Sequence, residues 1–249
     1  MHLLAVLTPD GVAPIAAALV VLAAFFTAAL TAAFGLGGGL ALLAVMSALF
    51  PAGAVIPVHG VAQLGANSSR FVFQRRNVVW TVALWFVLGG LIGTAIGARL
   101  YIGLPAPILK AAVGAFVLYT VWGPKPKGFA PGRKTFFTTG AVAAFLTMFF
   151  GATGPIAASM LGATKLDRLQ IVATHAACMV AQHAMKTIAF GFLGFAYAAW
   201  GPLIFLVVFS GFLGSWAGTR LLRAMPEKQF RAGFRAVLTF FGVYLLAVA

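Results

Sequence analysis

Long apolar runs recur along the whole chain, from residues 12–34 to residues 237–248. In a bilayer such runs must form helices or a closed barrel, because lipid offers no partner for a free backbone N–H or C=O group. The runs are continuous rather than alternating, which argues against an outer-membrane barrel. Only 8% of the residues are charged, against roughly 25% in a typical soluble domain. The sequence therefore predicts an all-α polytopic membrane protein.

The apolar segments fall into two groups, separated by one polar linker. They are 12–34, 40–50, 54–74, 78–102 and 105–122 before the linker, and 135–150, 155–163, 168–190, 196–222 and 229–248 after it. The linker is the only stretch rich in both proline and charge, so we place the boundary there. The predicted organisation is a first membrane repeat at 1–122, a cytoplasmic linker at 123–134 and a second membrane repeat at 135–249.

Segments 40–50 and 155–163 are too short to cross a membrane. A helix of 11 residues such as 40–50 is about 16 Å long, whereas the hydrocarbon core is roughly 30 Å thick. We expect each to form a broken or re-entrant hairpin with the helix before it. Irregular backbone at that depth is tolerated only inside the protein or beside a watery cavity.

One arrangement of unusual residues occurs twice, at a constant offset of 116. A glycine-rich break is followed by a histidine 24 residues later and by a cation 35 residues later. The two copies are Gly35, His59 and Arg70, and Gly151, His175 and Lys186. The first break contains Gly35, Gly37, Gly38 and Gly39, and the second contains Gly151, Thr153 and Gly154. A repeated break of this kind is typical of transporters whose substrate site lies between two halves.

The positions of the cations predict that the two halves are inverted. Cytoplasmic loops are enriched in Lys and Arg, so Arg75, Arg76 and the linker mark the cytoplasmic side. The second-half position that matches Arg75 is Gly191, which lies in a loop without charge. Equivalent loops then face opposite sides, as in an inverted repeat with an odd number of segments per half. Both termini would be periplasmic or extracellular.

Polar residues follow both helices behind the breaks at helical spacing. The first polar stripe contains His59, Gln63, Asn67 and Arg70, and the second contains His175, Met179, Gln182 or His183, and Lys186. Steps of three and four residues place each stripe on one helical face. A polar face should not contact lipid, so we expect both stripes to line a cavity or to connect helices.

Simpler interpretations of these residues stay open. Arg70 and Lys186 lie near predicted helix ends, where their long side chains could extend to the membrane surface. A histidine in an apolar helix is often a packing residue, and amide side chains often hold helices together. The matched spacing in two halves favours a shared functional role.

The sign of the charges favours an anion as ligand. Asp10, Asp167 and Glu227 are the only acids, and all lie near predicted helix ends or loops. No carboxylate is then available deep in the membrane for a metal cation, Na⁺ or a proton. Cationic side chains and helices that begin at a break both attract anions. The net charge of +14 would suggest nucleic acid in a soluble protein, but most cations here occupy loops, so we predict no nucleic-acid partner.

These residues resemble the TauE/SafE sulfite exporter family, also called the 4-toluene sulfonate uptake permease family. The resemblance rests on the first break with His59, Asn67 and Arg70 behind it, and on the second copy with His175 and Lys186. It extends from about residue 19 to the end of the chain. It implies a two-repeat transporter of the inner membrane for sulfite, sulfonates such as sulfoacetate, and related sulfur oxyanions, without a cofactor. The second break is poorer in glycine than the family pattern.

Four candidate functions are compared on these grounds. An exporter driven by the membrane potential needs no carboxylate for coupling, and a passive anion channel would use the same residues. A haem or metal protein would draw on Cys178, Met179, His183, His59 and His175 as soft ligands, although Arg70 and Lys186 would repel a metal ion. An intramembrane enzyme is disfavoured because no catalytic set of side chains lies in the helices. We predict an anion exporter in the lipid bilayer, and the sequence leaves a homo-oligomer open.

Overall fold

The computed structural model describes residues 8–34, 37–101, 105–123, 131–221, 236, 239–240 and 242–249. All regular elements in these residues are helical, as predicted. They are α1 (Pro14–Phe34), α2 (Gly38–Leu49), α3 (Ala52–Gln74), a 3₁₀ turn (Arg75–Asn77), α4 (Trp80–Leu100), α5 (Ala106–Trp122), α6 (Arg133–Phe150), α7 (Gly154–Gly162), α8 (Arg168–Phe192) and α9 (Tyr197–Leu221). Residues 242–247 are also helical. Most of the predicted linker lies outside the described residues.

The two short segments form short helices, as the sequence predicts. Helix α2 has 12 residues and α7 has nine, so neither is long enough to cross a membrane alone. The backbone turns at Gly37 with φ 98° and at Gly151 with φ 79°, a region that glycine adopts without the strain of a Cβ atom. Pro155 follows the first residue of α7, where its missing N–H group costs nothing. Each break therefore ends one helix and starts another.

The long helices pack across the two halves of the chain. Helix α3 packs against α8, α1 packs against α9, and α4 packs against α6. The last two pairs are equivalent, because each joins the first helix of one half to the fourth helix of the other. The two central helices, α3 and α8, carry the polar stripes. The sequence repeat is thus matched by a repeat in the packing.

Small residues make both equivalent contacts close. Glycines 89 and 93 on α4 lie against the backbone of α6, at Phe137 and Ala141. On α9, Ser210 donates a hydrogen bond to the Val21 carbonyl of α1 at 2.6 Å. Gly214 and Gly218 lie against the α1 backbone at Phe25 and Ala29. These are the small residues at four-residue spacing that allow transmembrane helices to approach closely.

Substituting these glycines tests the packing. We expect Gly93→Ala and Gly214→Ala each to destabilise the protein, because the added methyl group would overlap a backbone carbonyl of the facing helix. Overpacking of this kind typically costs about 1–3 kcal/mol. Gly201→Ala is the control, since no atom lies within 4 Å of the added Cβ. Thermal unfolding in detergent measures the difference, and equal midpoints for all three variants would contradict the close contacts.

The outer surface of the bundle is apolar. Helices α1, α4 and α9 are long and apolar enough to cross a membrane. Large side chains on these helices are exposed, including Leu22, Phe26, Leu91, Phe205 and Phe209. A soluble protein rarely exposes a continuous apolar surface of this size. The chain is therefore an integral membrane protein, with lipid as the partner of this surface.

Candidate functional site

Helices α3 and α8 run antiparallel and place the two polar stripes against each other. A Cβ atom built on Gly60, early in α3, would lie 2.8 Å from Cε of Lys186, late in α8. At the other end, Arg70 is the charged neighbour of His175. Nearby, the Val79 N–H donates to Thr174 Oγ1 at 2.9 Å. The beginning of each stripe thus meets the end of the other, as an inverted repeat requires.

The side chains of both stripes are inside the protein. None of the nine predicted residues is more than 8% exposed: His59, Gln63, Asn67, Arg70, His175, Met179, Gln182, His183 and Lys186. Arg70 reaches that upper value, and Lys186 is fully buried. Neither cation therefore extends to the membrane surface in this structure. Taking a charge out of water is costly, so an interior position for both calls for a compensating ligand or polar partner.

A cavity of about 40 Å³ lies between the two stripes and the two breaks. This volume accommodates roughly three water molecules, or a small anion of a few heavy atoms. Seven of the predicted stripe residues line it: His59, Gln63, Asn67, Arg70, His175, Met179 and His183. Gly37, Gly39 and Gly154 of the predicted breaks also line it. The structure thus brings most of the predicted site into one space.

Four further residues line the cavity and were not predicted as site residues: Thr31, Leu40, Ala152 and Pro155. Leu40, Ala152 and Pro155 are direct sequence neighbours of residues in the predicted breaks, so the positions of the breaks already indicated them. Thr31 has a separate signal in the sequence, because Thr147 lies 116 residues after it. Threonine is common in membrane helices, which makes that signal weak on its own.

The remaining predicted residues lie around the cavity rather than in its lining. Gln182 Nε2 donates to Thr153 Oγ1 at 2.9 Å, and that hydroxyl donates to the Ala143 carbonyl at 2.8 Å. Lys186 Nζ donates to the Gly151 carbonyl at 2.7 Å. Gly38 is buried against α1 at Thr27 and Thr31, and Gly35 lies outside the described residues. The hydrogen bonds of Gln182, Thr153 and Lys186 hold the second break against α6 and α8.

Lys186 occupies a position that suits a cation. Its partner Gly151 follows the last residue of α6, where backbone carbonyls have no partner within the helix. The C-terminal end of a helix also carries partial negative charge. Thr147 Oγ1 donates to the same carbonyl at 3.0 Å. The buried ammonium group is therefore paired with a helix end rather than with a carboxylate.

The two matched histidines each hold the helix that follows a break. His59 Nε2 lies 2.8 Å from the Gly39 carbonyl, and His175 Nε2 lies 3.2 Å from the Gly154 carbonyl. A carbonyl oxygen only accepts, so Nε2–H is the donor in both bonds. His59 thereby fixes the first turn of α2 relative to α3, and His175 fixes the first turn of α7 relative to α8. This contact recurs in both halves at nearly the same sequence separation.

The first turns of α2 and α7 meet at the cavity. The first N–H groups of a helix lack partners within the helix and carry partial positive charge. Neither N-terminal cap residue, Gly37 or Thr153, uses a side chain to cap them. Such an end is a ready anion site. Two of these ends at one cavity strengthen the preference for negative charge.

Arg70 adds a full positive charge to the cavity lining. Its guanidinium group donates to Asn67 Oδ1, and Asn67 Nδ2 donates to the Gln63 carbonyl at 2.7 Å. This chain of bonds orients the guanidinium within the first stripe. In the described part of the chain both acids, Asp10 and Asp167, are exposed. The lining offers donors and positive charge, and the chemistry that complements it is an anion with several acceptor oxygens.

The soft side chains of α8 occupy two environments. Cys178 and Met179 both belong to an apolar cluster with Ala83 and Phe86, and Met179 also lines the cavity together with His183. No three His, Cys, Asp or Glu side chains within the described ranges are placed to hold a metal ion.

Comparison with known families gives one informative match. A family model described as Sulfite exporter TauE/SafE matches residues 20–245. The matched range includes both breaks, both stripes and every residue that lines the cavity. Searches of curated proteins and of solved structures found no match.

Proposed function

The chain belongs to the TauE/SafE sulfite exporter family, and from this premise we propose that it exports small sulfur-containing anions across the inner membrane of the cell. Sulfite, sulfoacetate and related organosulfonates are the proposed substrates. The observation that carries the proposal is the cavity between two helix N-termini, lined by Arg70 and by no carboxylate among the described residues. The protein acts as a transporter and not as an enzyme.

The cavity lining suits a sulfur oxyanion. The oxygens of sulfite or of a sulfonate group can accept several hydrogen bonds at once, and the guanidinium group of Arg70 presents its donors in a planar fork that matches such groups. Amide groups of Gln63 and Asn67 line the same wall. Met179 adds a polarizable, weakly accepting surface on the opposite helix. The anion would thus be held by these donors and would also contact the softer sulfur atom of Met179.

The membrane potential is the proposed driving force. An anion leaving a cell with a negative interior gains about 2.3 kcal/mol per charge for each 100 mV. Export therefore needs no bound Na⁺. We place Arg75 and Arg76 on the cytoplasmic side, because loops there are enriched in cations. Both termini are then periplasmic or extracellular.

Flux in proteoliposomes at a clamped potential tests the proposal. We expect sulfite flux to increase as the compartment that contains sulfite becomes more negative, since each turnover carries negative charge. Flux should also saturate with sulfite concentration, because the anion pauses in a small cavity. Flux that does not depend on potential would contradict the proposed driving force, and flux that stays linear in concentration would favour a passive channel. Liposomes without protein are the control.

A further inference from the structure

His183 has no histidine counterpart in the first half of the chain. The position 116 residues earlier is Asn67, whose amide is held by Gln63 and Arg70. His183 lines the same cavity and is 4% exposed. Its Nδ1 atom is buried and has no hydrogen-bond partner. A buried polar atom without a partner is costly, so a cavity-lining imidazole whose Nδ1 atom has no partner suggests a ligand that completes it.

Within the described residues, the titratable groups that act on this imidazole are all bases or cations. Its ring lies 6.1 Å from that of His59, edge to face. The other groups that act on it electrostatically are Arg70 from α3, and His175 and Lys186 from its own helix. The helices α1, α2 and α7, which also border the cavity, contain no titratable side chain.

The charge balance of the cavity therefore changes when an anion enters. With the cavity empty of anions, a proton on His183 would add positive charge beside Arg70 and Lys186. A bound anion supplies negative charge close by and offers an acceptor for an N–H group. An opposite charge within about 4–6 Å favours the charged form of a titratable group.

We propose that His183 takes up one proton from solvent when the cavity binds its anion, so that anion and proton are bound together. The neutral imidazole becomes an imidazolium, and one of its N–H groups then donates to an oxygen of the anion. This inference rests on the proposed function, since it requires the cavity to bind a sulfur oxyanion. When the anion is a dianion such as sulfite in the alkaline range, one proton leaves one net negative charge. Export remains responsive to the membrane potential in that case.

Calorimetric titration of the purified full-length protein in detergent tests the proposal. Sulfite and methanesulfonate are titrated separately, in two buffers of equal pH that differ in heat of ionisation. The dependence of the binding heat on the buffer counts the protons taken up. We expect about one proton per anion for the wild type and close to none for His183→Asn, which binds more weakly. Asparagine occupies the equivalent position in the first half, so it should fit in the fold.

His175→Asn is the matched comparison. Its Nε2–H group is already bonded to the Gly154 carbonyl, so we expect this variant to bind more weakly and to retain the linked proton. Anion binding by the wild type without proton uptake, or uptake that persists in His183→Asn, would overturn the role of His183. Absence of binding for both anions would instead contradict the proposed function.

A second measurement does not depend on a variant. Methanesulfonate keeps a constant charge across the neutral and alkaline range. If one proton is bound with it, its dissociation constant for the wild type should rise about tenfold per pH unit at alkaline pH. An affinity that is independent of pH would overturn the proposal even if His183→Asn fails to fold.

Discussion

Replacing Arg70 with alanine should abolish most anion binding, and most transport, at sulfite concentrations that half-saturate the wild type. The guanidinium group is the one full charge in the described lining of the cavity, and a hydrogen bond to a charged group contributes about 1.5–3 kcal/mol. Its loss should therefore weaken anion affinity roughly 10- to 100-fold. Arg70→Lys should be intermediate, because lysine keeps the charge but not the planar fork. Dissociation constants for sulfite, measured by calorimetry, give the comparison.

The Arg70 variant should still fold. Both acids in the described residues, Asp10 and Asp167, are exposed, so removal of Arg70 leaves neither of them as a buried charge. Removing a buried charge often costs little when no opposite charge remains behind. Arg75→Ala is the matched control, because Arg75 lies one turn further along the chain and is exposed. Normal sulfite affinity in Arg70→Ala, with normal thermal stability, would show that Arg70 does not bind the anion.

Ligand stabilisation provides an independent check on the same variant. A ligand that binds only the folded state raises the unfolding temperature with its concentration. We expect sulfite to raise the unfolding temperature of the wild type and of Arg75→Ala, and to have a much smaller effect on Arg70→Ala. A shift of equal size in all three proteins would place the anion elsewhere.

The local architecture of this chain follows from its sequence to a large extent. The lengths of segments 40–50 and 155–163 predicted two helices too short to cross a membrane, and α2 and α7 confirm them. The reason is physical, because hydrophobic length and glycine breaks act locally. The spacing of small residues, at positions 89, 93 and 97 and at positions 210, 214 and 218, is likewise typical of close helix contacts. It did not predict that α4 contacts α6 and α9 contacts α1, because the partner of a helix face depends on the whole bundle.

The second stripe shows where periodicity stops being informative. Gln182 and His183 lie on either side of the centre of the polar face of this helix. Helical spacing alone therefore left both as candidates for the second stripe. In the structure His183 lines the cavity, while Gln182 bonds to Thr153. The difference is set by the rotation of α8 relative to α7, which is a property of tertiary packing. The roles of these residues in binding stay predictions.

Lys186 shows a second limit of the same kind. Its match to Arg70 predicted a cation at the pathway, and the structure places it in the interior beside the second break. Its bond to the Gly151 carbonyl joins residues 35 positions apart, and no helical period encodes such a contact. The sequence therefore predicted a role for this residue, which stays a prediction, but could not predict its partner.

Replacing Lys186 with methionine should reduce the rate of transport more than it reduces anion affinity. Methionine retains an unbranched side chain against Gly60 but removes the donor to the Gly151 carbonyl. The second break would then lose a contact that holds α6 and the first turn of α7 relative to α8. Because a change of about 1.4 kcal/mol corresponds to tenfold, loss of one such bond should lower the maximal sulfite flux roughly tenfold. Saturation curves in proteoliposomes separate this effect from a change in the half-saturating concentration.

The contrast between the two cations distinguishes a binding residue from a positioning residue. Arg70→Ala should mainly raise the half-saturating sulfite concentration, whereas Lys186→Met should mainly lower the maximal flux. Lys165→Met is the matched control for lost charge, since Lys165 is exposed in the segment between α7 and α8. Unchanged maximal flux in Lys186→Met would show that the Gly151 contact is dispensable for transport. A half-saturating concentration that rises as much as in Arg70→Ala would instead mean that Lys186 binds the anion directly, so that its bond to Gly151 must open during transport.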